Sequence, residues 1–150
     1  METGLYHAYV DILKEELIPA MGCTEPIAVA YAAAIAAKTL GTLPEDVDIC
    51  VSGNIIKNVK SVIVPNTGGL KGLNAAAAAG IAAGDPDREL QVISAVTPEQ
   101  TKEIAKFLDT AHFTVRRSES GLVFDIEITV SAGGHWASCR IAGFHTNVIS

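Results

Sequence analysis

This sequence is poor in aromatic residues (5 %), in charge (19 %) and in cysteine, with 3 in 150 residues. Each shortage excludes something. Cys23, Cys50 and Cys139 are odd in number and widely spaced. They form neither an even disulfide framework nor a CxxC zinc pattern, and a reducing, cytoplasmic setting is the simplest reading. Basic residues are outnumbered, 11 Lys and Arg against 17 Asp and Glu, for a net charge of −6. Lys57, Lys60 and Lys71 are the densest basic group, too few to neutralise a phosphate backbone, so nucleic acid is not an expected partner. Long hydrophobic runs are missing as well. The uncharged stretches Pro26–Ala37 and Leu73–Gly84 fall short of the roughly twenty residues a membrane span needs. No membrane partner is expected, and Glu2, His7 and Asp11 break the region a signal peptide would occupy.

What is abundant is small and apolar: hydrophobic residues make up 49 % of the chain, many of them alanine. The length suits one domain with a sound core, or one piece of a larger protein. Leu5 to Ile18 has apolar residues at near-helical spacing and reads as an amphipathic helix ending at Pro19. Ile27–Ala37 is apolar all round, hence a buried helix, with Gly41 as its stop. Val47–Ser52 alternates as a strand that Gly53-Asn54 breaks, and Ile55–Val64 reads as a helical turn and then a strand ending at Pro65. A glycine-rich loop, Asn66 to Gly72, runs into the alanine-rich helix Leu73–Ala83.

After Asp85–Asp87 the texture changes. Leu90–Val96 reads as a strand, and Thr97-Pro98-Glu99-Gln100 has the form of a capping box opening a helix to about Leu108. His112–Arg117, Val123–Val130 and Trp136–Ala142 alternate as strands, the last two joined at Ala132-Gly133-Gly134. The expected fold is α+β. Its first part, about 1–86, holds buried Ala-rich helices and the Gly-rich loop; its second, about 87–150, is a β-α-β-β-β unit with a mainly antiparallel sheet.

Two places carry chemistry. Cys23 stands just before Thr24-Glu25-Pro26, a cap-like helix start whose unpaired N–H groups and positive dipole end favour thiolate over thiol. Cysteine is equally a common core residue, and spacing alone leaves both roles open. Glu25 can act as acid or base beside Cys23, or simply complement the helix dipole. The second place is Asn66-Thr67-Gly68-Gly69, whose successive N–H groups and following helix suit a carboxylate or phosphate. It lacks the GxxxxGK(S/T) spacing of a nucleotide-binding P-loop, and an ordinary loop-to-helix junction would also explain it. Lys71 can pair with a bound carboxylate, and Asn54, Lys57 and Asn58 form a polar island that can line a pocket. Cys50 and Cys139 read as core residues, the four histidines as structural or surface groups, and Arg116-Arg117 as a solvated face.

The blocks Pro19-Ala20-Met21-Gly22-Cys23-Thr24-Glu25-Pro26, Gly53-Asn54-Ile55-Ile56-Lys57-Asn58, Val64 to Gly72 and Ala79 to Pro86 together resemble the L-cysteine desulfidase family. That family is related to the alpha chain of iron–sulfur L-serine dehydratase, and many of its members have no assigned activity. The resemblance implies a lyase that converts L-cysteine to sulfide, ammonia and pyruvate, or that dehydrates L-serine, using a 4Fe–4S cluster. It implies Cys23 as a cluster ligand and the Asn66–Gly69 loop, with Asn54 and Lys57, as the cradle of a small amino-acid substrate. Glu25 and Lys71 are the candidate bases for the α-proton. A 4Fe–4S cluster takes about four ligands, and the family's other ligand cysteines lie in a C-terminal region missing from this sequence. The expectation is therefore an N-terminal fragment, inactive and without its cluster until joined by that C-terminal remainder, with self-association left open. The alternative is a non-catalytic module that binds a carboxylate or serves assembly.

Overall fold

A computed structural model describes residues 6–11, 24–60, 62–64, 67–84, 93, 96–119 and 125–142, with backbone alone at 6–11, 24–25 and 142. Among them are four helices, α1 (Thr24–Leu40), α2 (Gly53–Val59), α3 (Gly72–Ala83) and α4 (Pro98–Thr110). Five strands, β1 (Tyr6–Asp11), β2 (Asp46–Val51), β3 (His112–Arg117), β4 (Asp125–Ala132) and β5 (His135–Ala142), form one sheet in the order β1-β5-β4-β2-β3. The central pairs β2–β4 and β4–β5 are antiparallel; β1 on β5 and β3 on β2 add a parallel strand at each edge. The fold is α+β, and the two textures of the sequence share a single sheet.

Local chemistry accounts for most elements. Thr97 caps α4 reciprocally: Gln100 N donates to Thr97 Oγ1 at 3.2 Å and Thr97 N donates to Gln100 Oε1 at 3.0 Å, with Pro98 at the first position. Gly133 and Gly134 take φ of 60° and 85°, the left-handed conformation a two-residue hairpin turn needs. Gly41, at φ 85°, ends α1, its N–H donating to Ala37 O at 3.0 Å.

The alternation along each strand sorts the sheet into two faces. Val47, Ile49 and Val51 with Ile126, Ile128, Val130, Ala137, Cys139 and Ile141 are buried on one, under α1 and α3. The other carries Asp46, Asp48 and Cys50, then Glu127, Thr129 and Ser131, then Trp136 and Arg140. Helices α1 and α3 touch backbone to backbone: a Cβ on Gly80 would lie 2.7 Å from the Ala30 carbonyl carbon and closer still to its oxygen. Alanines along both helices permit that approach.

Two expectations are corrected, and a third falls mostly outside the described residues. Tyr6–Asp11 is a strand rather than the start of an amphipathic helix. Tyr6, Tyr9 and Val10 suit a pleated edge, and pairing with β5 outweighs helical spacing. The break at Gly53-Asn54 is itself the first turn of α2, and the strand expected before Pro65 shrinks to one bridge, Ile63 to Lys71. Of the expected strand Leu90–Val96, only Ile93 and Val96 are described; Ile93 lies in a turn and is buried in the core.

Candidate functional site

Strand direction determines where the candidate residues meet. Strands β2, β3 and β5 run one way and β4 the other, so Val51, Arg117, Ala142 and Asp125 mark the same end of the sheet. The chain leaves β2 there through Ser52 and enters α2 directly. The short link 41–45 makes α1 run back against β2, so its first turn, with Thr24, opens toward this end. Helix α4 stops two residues before β3 and likewise begins here. The glycine turn ahead of α3 joins them: a Cβ on Gly68 would come within 2.9 Å of Thr101 Cγ2 in the first turn of α4. The N-terminal ends of α1, α3 and α4 therefore open on one end of the sheet, and a helix N-terminus favours an anion placed against its first turn.

The glycine turn is held from both sides. Val64 N donates to Leu70 O at 2.8 Å and Gly72 N to Val62 O at 3.2 Å. Within it, Thr67 is buried, its Oγ1 donating to Val64 O at 2.7 Å and accepting from Leu70 N at 3.2 Å. That hydroxyl is used in shaping the loop. Gly68 and Gly69, at φ 77° and 101°, are exposed, and a backbone cradle is what the turn offers a ligand. Lys71 does not lie within the helix: it is the exposed, extended residue just before α3. Asn54 and Lys57 are exposed three residues apart on α2, above buried Ile55 and Val59. Cys23 and Asn66 lie outside the described residues, as does the side chain of Glu25, whose backbone is in the first turn of α1.

Sequence reasoning missed a polar cluster at the same end. Asp125, whose side chain is only 3 % exposed, is held by both arms of Arg140, Nε to Oδ1 at 2.9 Å and Nη2 to Oδ2 at 3.0 Å. Ser118 Oγ donates to its Oδ2 at 2.7 Å, and Ser52 N donates to its carbonyl oxygen at 2.9 Å. Asp125 thus joins four elements: its carboxylate ties β4 to β5 and to the residue after β3, and its backbone carbonyl holds the entry to α2. The sequence held a signal: a hairpin turning at Gly133-Gly134 sets Glu127 opposite Arg140, with Asp125 one diagonal away. Arg117 is exposed, as the sequence suggests, and its guanidinium lies across Gly53, where a Cβ would meet its Nε at 3.1 Å. Arg116 is exposed yet paired with Asp48, Nη2 to Oδ2 at 2.6 Å and Nε to Oδ1 at 3.0 Å, and this pairing holds its guanidinium protonated still more firmly.

The two described cysteines do not fit a shared cluster. Cys139 is fully buried on the helix-covered face, where burial and then Glu127 push its thiol up to about 12. Cys50 is half-buried on the opposite face; burial raises its pKa, Glu127 adds to the rise and Arg116 opposes it. Thiolates are the ligating form, and these are thiols on opposite sides of a sheet. Among the described residues, no three His, Cys, Asp or Glu side chains gather in a metal-holding group.

The described part of the chain is thus an α+β domain with three helix starts and an exposed glycine turn at one end of its sheet. Comparison with known proteins finds relatives over nearly the whole of this chain. The chain is 50 % identical over 144 residues to the UPF0597 protein of Desulfitobacterium hafniense, covering 96 % of this chain and 34 % of that protein. It is 42 % identical over 149 residues to that of Treponema denticola, covering 99 % and 35 %, and 45 % identical over 148 residues to that of Fusobacterium nucleatum, covering 99 % and 34 %. The chain thus spans about a third of the length of these curated relatives. No family model matches it, and no solved structure matches either. No helix among the described residues is long and apolar enough to cross a membrane.

Proposed function

We propose that this chain is the N-terminal part of a cytoplasmic, iron–sulfur-dependent lyase acting on a small amino acid, with L-cysteine going to sulfide, ammonia and pyruvate. The observation that supports this reading is convergence. The start of α1, the polar face of α2 and the turn at Gly68-Gly69 belong to separate sequence blocks, yet all lie at one end of the sheet. In this reading the turn and the helix ends hold the substrate carboxylate, with Asn54, Lys57, Asn66 and Thr67 shaping the cradle. Cys23 supplies one cluster ligand, and the others come from the C-terminal remainder of the enzyme. A base, Glu25 or Lys71, takes the α-proton. The C–H electron pair becomes the Cα–Cβ double bond, the β-substituent leaves with its bonding pair, and the enamine tautomerises and hydrolyses to pyruvate and ammonia. The isolated chain is inactive.

The test is anaerobic reconstitution of this chain and of a chimera in which it replaces the first third of the Desulfitobacterium hafniense relative. Sulfide and pyruvate are expected from L-cysteine with the chimera only, and Cys23→Ser is expected to abolish them. A stoichiometric cluster on this chain alone, or full activity in Cys23→Ser, refutes the ligand assignment. L-serine in the same panel separates dehydratase from desulfidase activity. A second reading, a non-catalytic carboxylate-binding module, is favoured by the commitment of Thr67 Oγ1 to the loop. It predicts carboxylate binding with no turnover in either protein.

A further inference from the structure

The opposite end of the molecule carries a different surface. Leu43 is 62 % exposed, the most exposed large apolar side chain among the described residues. It does not project by looseness of the link: Gly41 closes α1 with φ 85° and Pro44 is buried, so the backbone on both sides is set. Two depressions flank it. One, of about 440 Å³, is lined by Ala37, Ile81 and Gly84 at the last turns of α1 and α3. The other, of about 250 Å³, is lined by Ala82 and Phe107 with Glu103, Lys106 and Thr110 around them, on α3 and α4, and Leu43 borders both.

One exposed leucine alone would be ordinary surface; here it stands between two hollows with apolar floors, and Lys38, Glu103 and Lys106 at their edges give the apolar centre and polar rim of a contact surface. The sheet face that no described helix covers is the competing surface. It is polar, and the charges of Arg116 and Arg140 are already paired with Asp48 and Asp125, leaving Trp136, 36 % exposed, as an isolated apolar residue there. The occupant follows from length. About two-thirds of each relative's polypeptide lies beyond the matched region, long enough to supply a segment that covers this surface.

We infer that the Leu43 ridge and its two hollows are the docking face for an apolar-sided segment of the further two-thirds of the family polypeptide. The inference is independent of any lyase activity. Co-expression of this chain with the complementary two-thirds of the Desulfitobacterium hafniense relative, tagged as a separate polypeptide, should give 1:1 co-purification. Leu43→Glu should abolish it while leaving thermal unfolding of the chain unchanged, and Trp136→Glu should have no effect. In the chimera, maleimide labelling of Leu43→Cys should be at least tenfold slower than in the isolated chain, and labelling of Trp136→Cys equal in both. The inference is overturned if Leu43→Glu co-purifies like wild type, if no association occurs, or if Trp136→Cys alone is protected. It is also overturned if the isolated chain is a dimer that Leu43→Glu disperses, since a second copy would then be the occupant.

Discussion

Replacing Gly80 by alanine puts two effects of opposite sign at one atom. In an exposed helix the change would stabilise, because glycine costs about 0.5–1 kcal/mol relative to alanine. At Gly80 the new Cβ would stand 2.7 Å from the Ala30 carbonyl carbon and 2.9 Å from its Cα. Carbon atoms rest at about 3.5 Å, so α1 and α3 must separate by about 1 Å or more. The obstacle is backbone, which has no alternative rotamer, and Ala30→Gly would not relieve it. Overpacking costs about 1–3 kcal/mol, occasionally more, and separation would also loosen the alanine contacts on either side. The expected net loss is about 2 kcal/mol, which for a chain of this size lowers the Tm by about 4–8 °C. Circular dichroism at 222 nm during thermal unfolding would measure it, with Gly41→Ala as comparison. Gly41 has open space around it but φ 85°, so its cost of about 1–2 kcal/mol is purely conformational. A Gly80→Ala protein as stable as wild type, or more so, would refute close helix packing as the basis of this core.

Other outcomes follow from the same structure. Asp125→Ala should lower the urea midpoint by the equivalent of about 3 kcal/mol, since it removes the buried carboxylate that both arms of the partly buried Arg140 hold. Thr67→Val should cost about 1–3 kcal/mol by stranding Val64 O and Leu70 N, while Thr67→Ser should retain most of the stability. Cys139 should resist iodoacetamide at pH 8 in the folded chain and react fully in urea. Its thiol, ordinarily at 9.0, is pushed up to about 12 by burial. Folding thus favours the protonated form, and the stability this contributes is present below pH 9 and declines as pH rises toward 12. Rapid labelling of native Cys139 at pH 8 would contradict its placement.

What was legible in the sequence was local. The capping box at Thr97 and Gln100, the Gly133-Gly134 turn and the alanine runs each determine structure through neighbours a few residues away. Tyr6–Asp11 was not legible, because its residues satisfy helical spacing as well and the strand is selected by the distant edge of β5. The position of β2 between β3 and β4 was hidden for the same reason. At the candidate site the glycine turn could be read directly, whereas the internal use of Thr67 Oγ1 depends on the bridge between Ile63 and Lys71. The Asp125–Arg140 pair needed hairpin register before either residue stood out from ordinary surface charge.

The parallel seam between β1 and β5 sets an order on the birth of this fold. Tyr6 pairs with Ala137 and Asp11 with Ala142, so the first of the described strands to leave the ribosome waits for the last of them. Until β5 emerges, β1 has no edge to join, and the hairpin of β4 and β5 must close before that edge exists. Loop closure over so long a span is slow. During synthesis, the helices and β2 therefore have time to collapse together while β1 trails as an unclaimed strand, the segment on which a chaperone, or a neighbouring nascent chain, would first take hold.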